Sequence, residues 1–127
     1  MNKQILCLVL GMTMVSAASA QSVMTKKSDG TTVINTTSLA KDVNGYVGTT
    51  PVEIHIQKQK IVKVVALKNQ ETPKYFARIK KSLLPLWEGM KVSKALKTDV
   101  DGVTGATFSS KAVKENVKRG LEYYKKH

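Results

Sequence analysis

Val52-Glu-Ile-His-Ile-Gln57, a polar reversal through Lys58-Gln59-Lys60, and Ile61-Val-Lys-Val-Val-Ala-Leu67 form two strand-like runs in direct succession. In the first, Val52, Ile54 and Ile56 alternate with Glu53, His55 and Gln57, the period of two expected of a half-buried strand. On that alternation His55 belongs to the polar face and reads as a surface histidine. The second run is β-branched and apolar on both faces. The pair therefore predicts a hairpin whose second strand lies inside a sheet.

Downstream the period changes. Thr72 is suited to cap a helix and Pro73 to occupy its first turn, where no amide hydrogen is missed. Phe76, Ile79 and Leu83 then recur at helical spacing, and Pro85 ends the segment. Trp87 reads as a core plug or a lid on the sheet rather than a binding residue, and Val92 to Lys97 as a short helical turn. At the C-terminus Val113, Val117, Leu121 and Tyr124 repeat every three or four residues against Lys111, Lys114, Glu115 and Lys118, which predicts an amphipathic helix of about four turns. Ser109 or Ser110 is placed to cap it. Gly120 costs such a helix about 1 kcal/mol against alanine and marks a close approach to the sheet.

Upstream, Asn44-Gly45-Tyr46-Val47-Gly48 reads as a turn entering a strand. Residues 21–40 read as a Ser/Thr-rich tether with a turn at Ser28-Asp29-Gly30 and at most one edge strand, Thr31 to Thr36, so that the domain proper spans 41–127. Residues 1–20 have a lysine at position 3, an apolar run from Ile5 to Val15 and small residues up to Ala20. This is the layout of a cleavable secretory signal, and it predicts export to the periplasm or the outer face of the cell envelope. The competing membrane anchor is disfavoured, because the apolar run falls short of the roughly 20 residues that cross a bilayer and is interrupted by Gly11, Thr13 and Ser16.

Removal of that segment takes away the single cysteine, Cys7, and one lysine, leaving a net charge of +11. The remaining domain has neither a disulfide nor a cysteine metal site. Nucleic acid is a poor partner for it, since its lysines are scattered singly without the interleaved aromatics of a single-strand platform. A solvated lysine coat and steering toward an acidic redox partner or an anionic membrane surface both fit the charge.

The segment Asp101-Gly-Val-Thr-Gly-Ala-Thr-Phe-Ser109 places an acid, two glycines and three hydroxyl groups directly before the last helix. Gly102 and Gly105 allow turns and close approach of a bulky group. The amides of the helix start favour a phosphate. The hydroxyls of Thr104, Thr107 and Ser109 are potential hydrogen-bond donors or attachment oxygens. A generic turn leading into a capped helix has the same ingredients.

The run Asp101-Gly102-Val103-Thr104-Gly105-Ala106-Thr107 resembles the flavinylation motif of the FMN-binding domain family, found in subunits of the Rnf complex and of the sodium-translocating NADH:quinone reductase, and in small secreted single-domain proteins. The motif reads Asp, two free positions, Ser or Thr, Gly, Ala, Thr, and every fixed position is matched. The resemblance implies that a flavin transferase, using FAD and magnesium, joins flavin mononucleotide (FMN) through a phosphoester to Thr107. Asp101 and Thr104 are then part of what the transferase recognises, and Gly105 and Ala106 keep the threonine accessible. The Asn44 to Gly48 turn and the Val52 to Leu67 hairpin resemble the family's first strands, and the resemblance implies an α+β fold, a small and mostly antiparallel sheet with packed helices. Glu71-Thr72-Pro73 resembles a segment that lies close to the flavin ring in the respiratory subunits, although Lys74-Tyr75-Phe76 replaces their Gly-Leu-Gly. Glu71 and Thr72 thus either touch the isoalloxazine or simply start a helix.

With such a cofactor the resemblance implies an electron carrier that exchanges electrons with a membrane or extracytoplasmic redox partner. The residues contain no paired acid and base, no Ser-His-Asp set, no metal-ligand spacing around His55 or His127, and no nicotinamide fingerprint. A stand-alone flavin-dependent reductase and a secreted module of the same fold that never receives flavin are the alternatives.

Overall fold

The computed structural model describes residues 23–45, 47–100 and 107–127. The predicted signal and Cys7 lie outside them. Four strands, β1 (Met24–Lys26), β2 (Thr32–Asn35), β3 (Val52–Gln57) and β4 (Lys60–Ala66), form one antiparallel sheet in sequence order. Three α-helices follow, α1 (Pro73–Arg78), α2 (Val92–Lys97) and α3 (Thr107–Lys126). This is the expected α+β class.

The sheet departs from expectation at both ends. The 21–40 segment contributes two strands rather than at most one edge strand, and β2 is an inner one, pairing with β1 on one side and β3 on the other. Ile34 is fully buried, so the tether reading is corrected and the sheet begins before Lys41. Its turn is set by Asp29, whose carboxylate accepts the Thr31 amide at 2.9 Å, and by Gly30 at φ +92°. That amide bond holds the Asp29 carboxyl below its ordinary pKa. Because β2 takes the free edge of β3, it is β3 and not β4 that lies inside.

β4 is instead an edge strand, with Val62 and Val65 exposed. Part of its outer edge is covered by the 89–92 segment, through Ile61 N to Met90 O at 2.8 Å and Gly89 N to Ile61 O at 2.7 Å. Covering an edge in this way blocks strand addition by other chains. The hairpin reverses through Lys58 and Gln59, both at positive φ, as a two-residue turn matching the strand twist requires. A bulge between His55 and Ile56 re-phases β4, so that Ile61 and Val64 both reach the core.

Val52, Ile54 and Ile56 face α3 and are buried as their alternation predicts. His55 is not the surface residue that the same alternation suggests. It is 7% exposed, pairs across the sheet with Val33 and Lys63, and lies 3.2 Å from Glu53. An inner-strand position leaves its ring flanked on both sides.

The helical stretch after Pro73 also continues past its expected end. α1 widens into a π-helical turn at Ile79–Leu83 and tightens into a 3₁₀ turn at Leu84–Trp87. Pro85 has no amide hydrogen to donate to the preceding turn, and this change of pitch carries the chain around it without a break. Phe76, Ile79, Leu83, Leu84 and Trp87 are all buried, which makes Trp87 the expected core plug.

α3 runs along the sheet and closes the core with Val113, Val117 and Leu121. Gly120 sits where the two layers meet: a Cβ there would lie 2.6 Å from Ile54 Cδ1 and 3.0 Å from Thr36 Cγ2. Asn116, 1% exposed, adds a polar clamp between the layers. Its Oδ1 accepts the Thr36 hydroxyl at 2.6 Å, and its Nδ2 donates to Ala112 O at 2.9 Å. Thr36 in turn bonds the backbone of Val52. Buried amides so satisfied fix register rather than merely tolerate burial.

Candidate functional site

The start of α3 is anchored by Glu71. This residue lies beyond the last strand, with its amide donating to Asn69 Oδ1 at 3.0 Å, and it is 5% exposed. One carboxylate oxygen accepts the amides of Val47 and Gly48 at 2.7 and 3.0 Å. The other accepts the hydroxyl of Ser109, in the first turn of α3. The carboxylate therefore ties the 45–48 loop to the helix start, and it does so at the positive end of the helix dipole, in a first turn that holds no acid of its own.

Gly45 makes this junction possible. Its amide donates to Gly48 O at 2.8 Å, closing the loop. A Cβ at 45 would collide with the Glu71 carboxylate and lie 3.1 Å from Ser109 Cα.

The structure thus brings together Glu71 and Ser109, two of the residues singled out from the sequence, two positions along the chain from Thr107. Thr72 and Pro73 open α1 as expected, while the expected side-chain caps and the length of α3 are corrected. α3 begins at Thr107, so Ser109 and Ser110 lie within its first turn and are buried, and the Ser109 hydroxyl is turned to Glu71. Thr72 holds the N-cap position of α1 through its carbonyl, which accepts the amides of Tyr75 and Phe76, but its side chain makes no capping bond and is exposed. At 20 residues α3 is also longer than the expected four turns. Asp101, Thr104, Gly105, Ala106 and the Thr107 side chain lie outside the described residues.

Next to Glu71 is a shallow recess of about 200 Å³, lined by Asn69, Glu71, Pro73, Phe76, Ala77 and Lys80. Farther along α3, Arg119 holds Asp42 through two bonds of 2.6 and 3.2 Å, bonds Glu115 at 3.0 Å and donates to Leu39 O at 3.1 Å. The bond from Arg119 lowers the Asp42 pKa, and the same pairing raises that of Arg119. This clasp fixes the segment after β2 to the back of α3. Among the described residues no group of three or more His, Cys, Asp or Glu could hold a metal, and no helix is long and apolar enough to cross a membrane.

Asn116, Gly45 and the Arg119–Asp42 clasp were missed from the sequence. Asn116 had a signal: it falls on the helix face of Val113, Val117 and Gly120, where a polar residue must find partners. The other two depend on contacts between segments far apart in the chain, which periodicity does not report.

Residues 45–122, the span from this loop to the end of the α3 core, match the sequence model of the FMN-binding domain. The chain belongs to the FMN-binding domain family. Comparison with curated proteins and with solved structures gives no match. Membership makes this a flavin-binding domain. The matched span begins at Gly45 and includes Glu71 and Ser109, so the whole junction belongs to the FMN-binding domain, while β1 and β2 lie outside the match. The residues present suit the group. The helix start offers first-turn amides, and Lys111 stands one turn on, both favourable to a phosphate.

Proposed function

We propose that this protein is an exported electron carrier that holds FMN through a phosphoester on Thr107. In the attaching reaction the Thr107 hydroxyl oxygen bonds to the FMN phosphorus of FAD. The pyrophosphate bond breaks, adenosine monophosphate leaves, and the hydroxyl proton is lost. A magnesium-dependent flavin transferase is the partner for this step, with Asp101 and Thr104 as recognition residues and Gly105 and Ala106 keeping the oxygen accessible.

The observation that carries this reading is the junction beneath the threonine. Thr107 opens a 20-residue helix whose first turn is held to the 45–48 loop by Ser109 and Glu71. A modification at such a place is presented on rigid backbone rather than on a loose loop. FMN supplies reversible electron transfer, and the protein supplies orientation and surroundings. Lys114 is neutralised by Asp99 at 2.6 Å, so Lys111, one turn from Thr107, is the nearer helix cation to favour the reduced, anionic flavin. Glu71 is committed to holding the loop and the helix start, and Thr72 beside it is exposed.

Export through a signal at residues 1–20 places the carrier in the periplasm or at the outer face of the envelope, where a covalent link prevents loss of the cofactor to a dilute compartment. Its redox partner is then a membrane or extracytoplasmic protein, not nucleic acid. Intact-mass measurement after co-expression with a flavin transferase tests the reading. A single FMN adduct is expected on the wild type, none on Thr107→Ala, and a reduced fraction on a folded Asp101→Ala. Covalent flavin on Thr107→Ala refutes the assignment. A colourless wild type with no added mass favours a non-flavin module of the same fold.

A further inference from the structure

A second concave feature lies on the opposite side of α3 from Glu71. It is a groove of about 390 Å³ between α3 and the α2 segment that leads to residue 100. Its floor is apolar, built from Trp87, Val100, Val117 and Leu121, all buried. Its rim carries four lysines, Lys97, Lys111, Lys114 and Lys118.

The two acids of the groove are both engaged in ion pairs. Asp99 holds Lys114 at 2.6 Å, and Glu115 holds Arg119 at 3.0 Å. Lys97, Lys111 and Lys118, all exposed, therefore give the rim a net positive field over an apolar bed.

The position of the groove is as telling as its chemistry. Val100 immediately precedes residue 101 and Lys111 stands one turn after Thr107, so groove residues lie next to the attachment motif in sequence on both sides. Residues 107, 111, 114 and 118 follow one another by four, three and four, the spacing of a single helix stripe.

We propose that this groove is the docking surface for an acidic segment of the redox partner protein, which brings that partner up to the flavin. The inference rests on the reading that Thr107 carries FMN. Charge complementarity selects the partner, because a lysine rim around an apolar floor fits carboxylates that flank one or two apolar side chains. A concavity of this size accepts protruding side chains, whereas an anionic lipid surface is flat and meets convex basic surfaces best. Opposite charge at the rim also steers encounter, which a carrier exchanging partners requires.

The test is an amide-resolved NMR titration of the purified protein with two probes, octaglutamate and an octapeptide alternating glutamate and leucine. The alternating peptide is expected to bind more tightly, with shifts confined to α2, residues 98–100 and the exposed face of α3. The triple variant Lys97→Glu, Lys111→Glu, Lys118→Glu is expected to weaken it by roughly tenfold or more. The control triple Lys26→Glu, Lys63→Glu, Lys68→Glu, which makes the same charge change on the sheet side, is expected to weaken it less than twofold. All six lysines are exposed, and the amide spectrum reports directly that each variant is folded.

Shifts spread over lysines throughout the chain, or equal losses in the two triples, would overturn the proposal in favour of non-specific charge. Binding to phosphatidylglycerol vesicles that needs the groove lysines, with no peptide binding, overturns it in favour of a membrane. The mass of the same sample reports the flavin separately, so failure of the groove and failure of the Thr107 assignment give different results.

Discussion

Replacing Glu71 by alanine and by glutamine separates the two things this carboxylate does. Alanine removes the acceptor for the Val47 and Gly48 amides and for the Ser109 hydroxyl. The serine is buried, so losing a bond to a charged group there costs about 1.5–3 kcal/mol. Val47 and Gly48 are partly reachable by water, so each amide recovers most of its bond and loses roughly 0.5 kcal/mol. The expected total for Glu71→Ala is about 3 kcal/mol, a large share of the 5–15 kcal/mol typical of a domain.

Glutamine fits the same volume. Its carbonyl can accept the two amides while its NH₂ donates to the Ser109 oxygen, whose hydroxyl turns away. Only charge assistance and the favourable contact with the helix dipole are lost, about 1 kcal/mol. Urea denaturation distinguishes the two: with a slope of about 1.5 kcal/mol per molar, the midpoints fall by roughly 2 M for alanine and about 0.7 M for glutamine. Flavin loading by the transferase should follow the same order. Equal losses in the two variants, or an alanine variant within about 0.5 kcal/mol of wild type, would refute the account of Glu71 as the anchor of the helix start.

Three further outcomes are expected. Gly120→Ala, which helix propensity alone would make stabilising by about 1 kcal/mol, should instead lower the thermal midpoint, because its methyl overpacks Ile54 and Thr36; a raised midpoint in calorimetry contradicts this. Asn116→Leu removes the shorter of the two acceptors of the Thr36 hydroxyl and should cost about 1 kcal/mol by chemical denaturation; a gain in stability would mean that the polar clamp contributes nothing. Arg119→Gln should be destabilising at neutral pH, and the difference from wild type should shrink in acid. The folded-state pKa of Asp42 lies below its ordinary 3.8, so the pair's contribution is complete above that value and disappears as pH falls through the lowered one. A difference that persists unchanged in acid unfolding curves excludes the ion pair as its cause.

The parts of this fold visible in the sequence are those with an uninterrupted local period. The Val52 to Ile56 alternation and the Val113, Val117, Leu121 stripe each identify one buried face, and Gly120 announces a close contact that is there. What escaped depends on neighbours remote in sequence. Thr31 to Thr36 is too short to declare itself an inner strand until β3 pairs with it, and that pairing moves β4 to the edge and buries His55. The caps failed for a similar reason: Ser109 has a better partner in Glu71, 38 residues away, than in its own helix. At the candidate site, the motif up to Thr107 could be read residue by residue because its chemistry is local. The support beneath it could not, because Gly45, Glu71 and Ser109 come from three separate segments.

The bond between Thr36 and Asn116 spans 80 positions and joins the first half of the sheet to the last helix. A chain that lacks the final twenty or so residues has lost the helix that closes the core over its isoleucine-rich sheet face. Folding of so non-local an arrangement needs both ends of the chain present. Nonsense codons or proteolytic trimming ahead of Leu121 should therefore yield insoluble material rather than a smaller working unit.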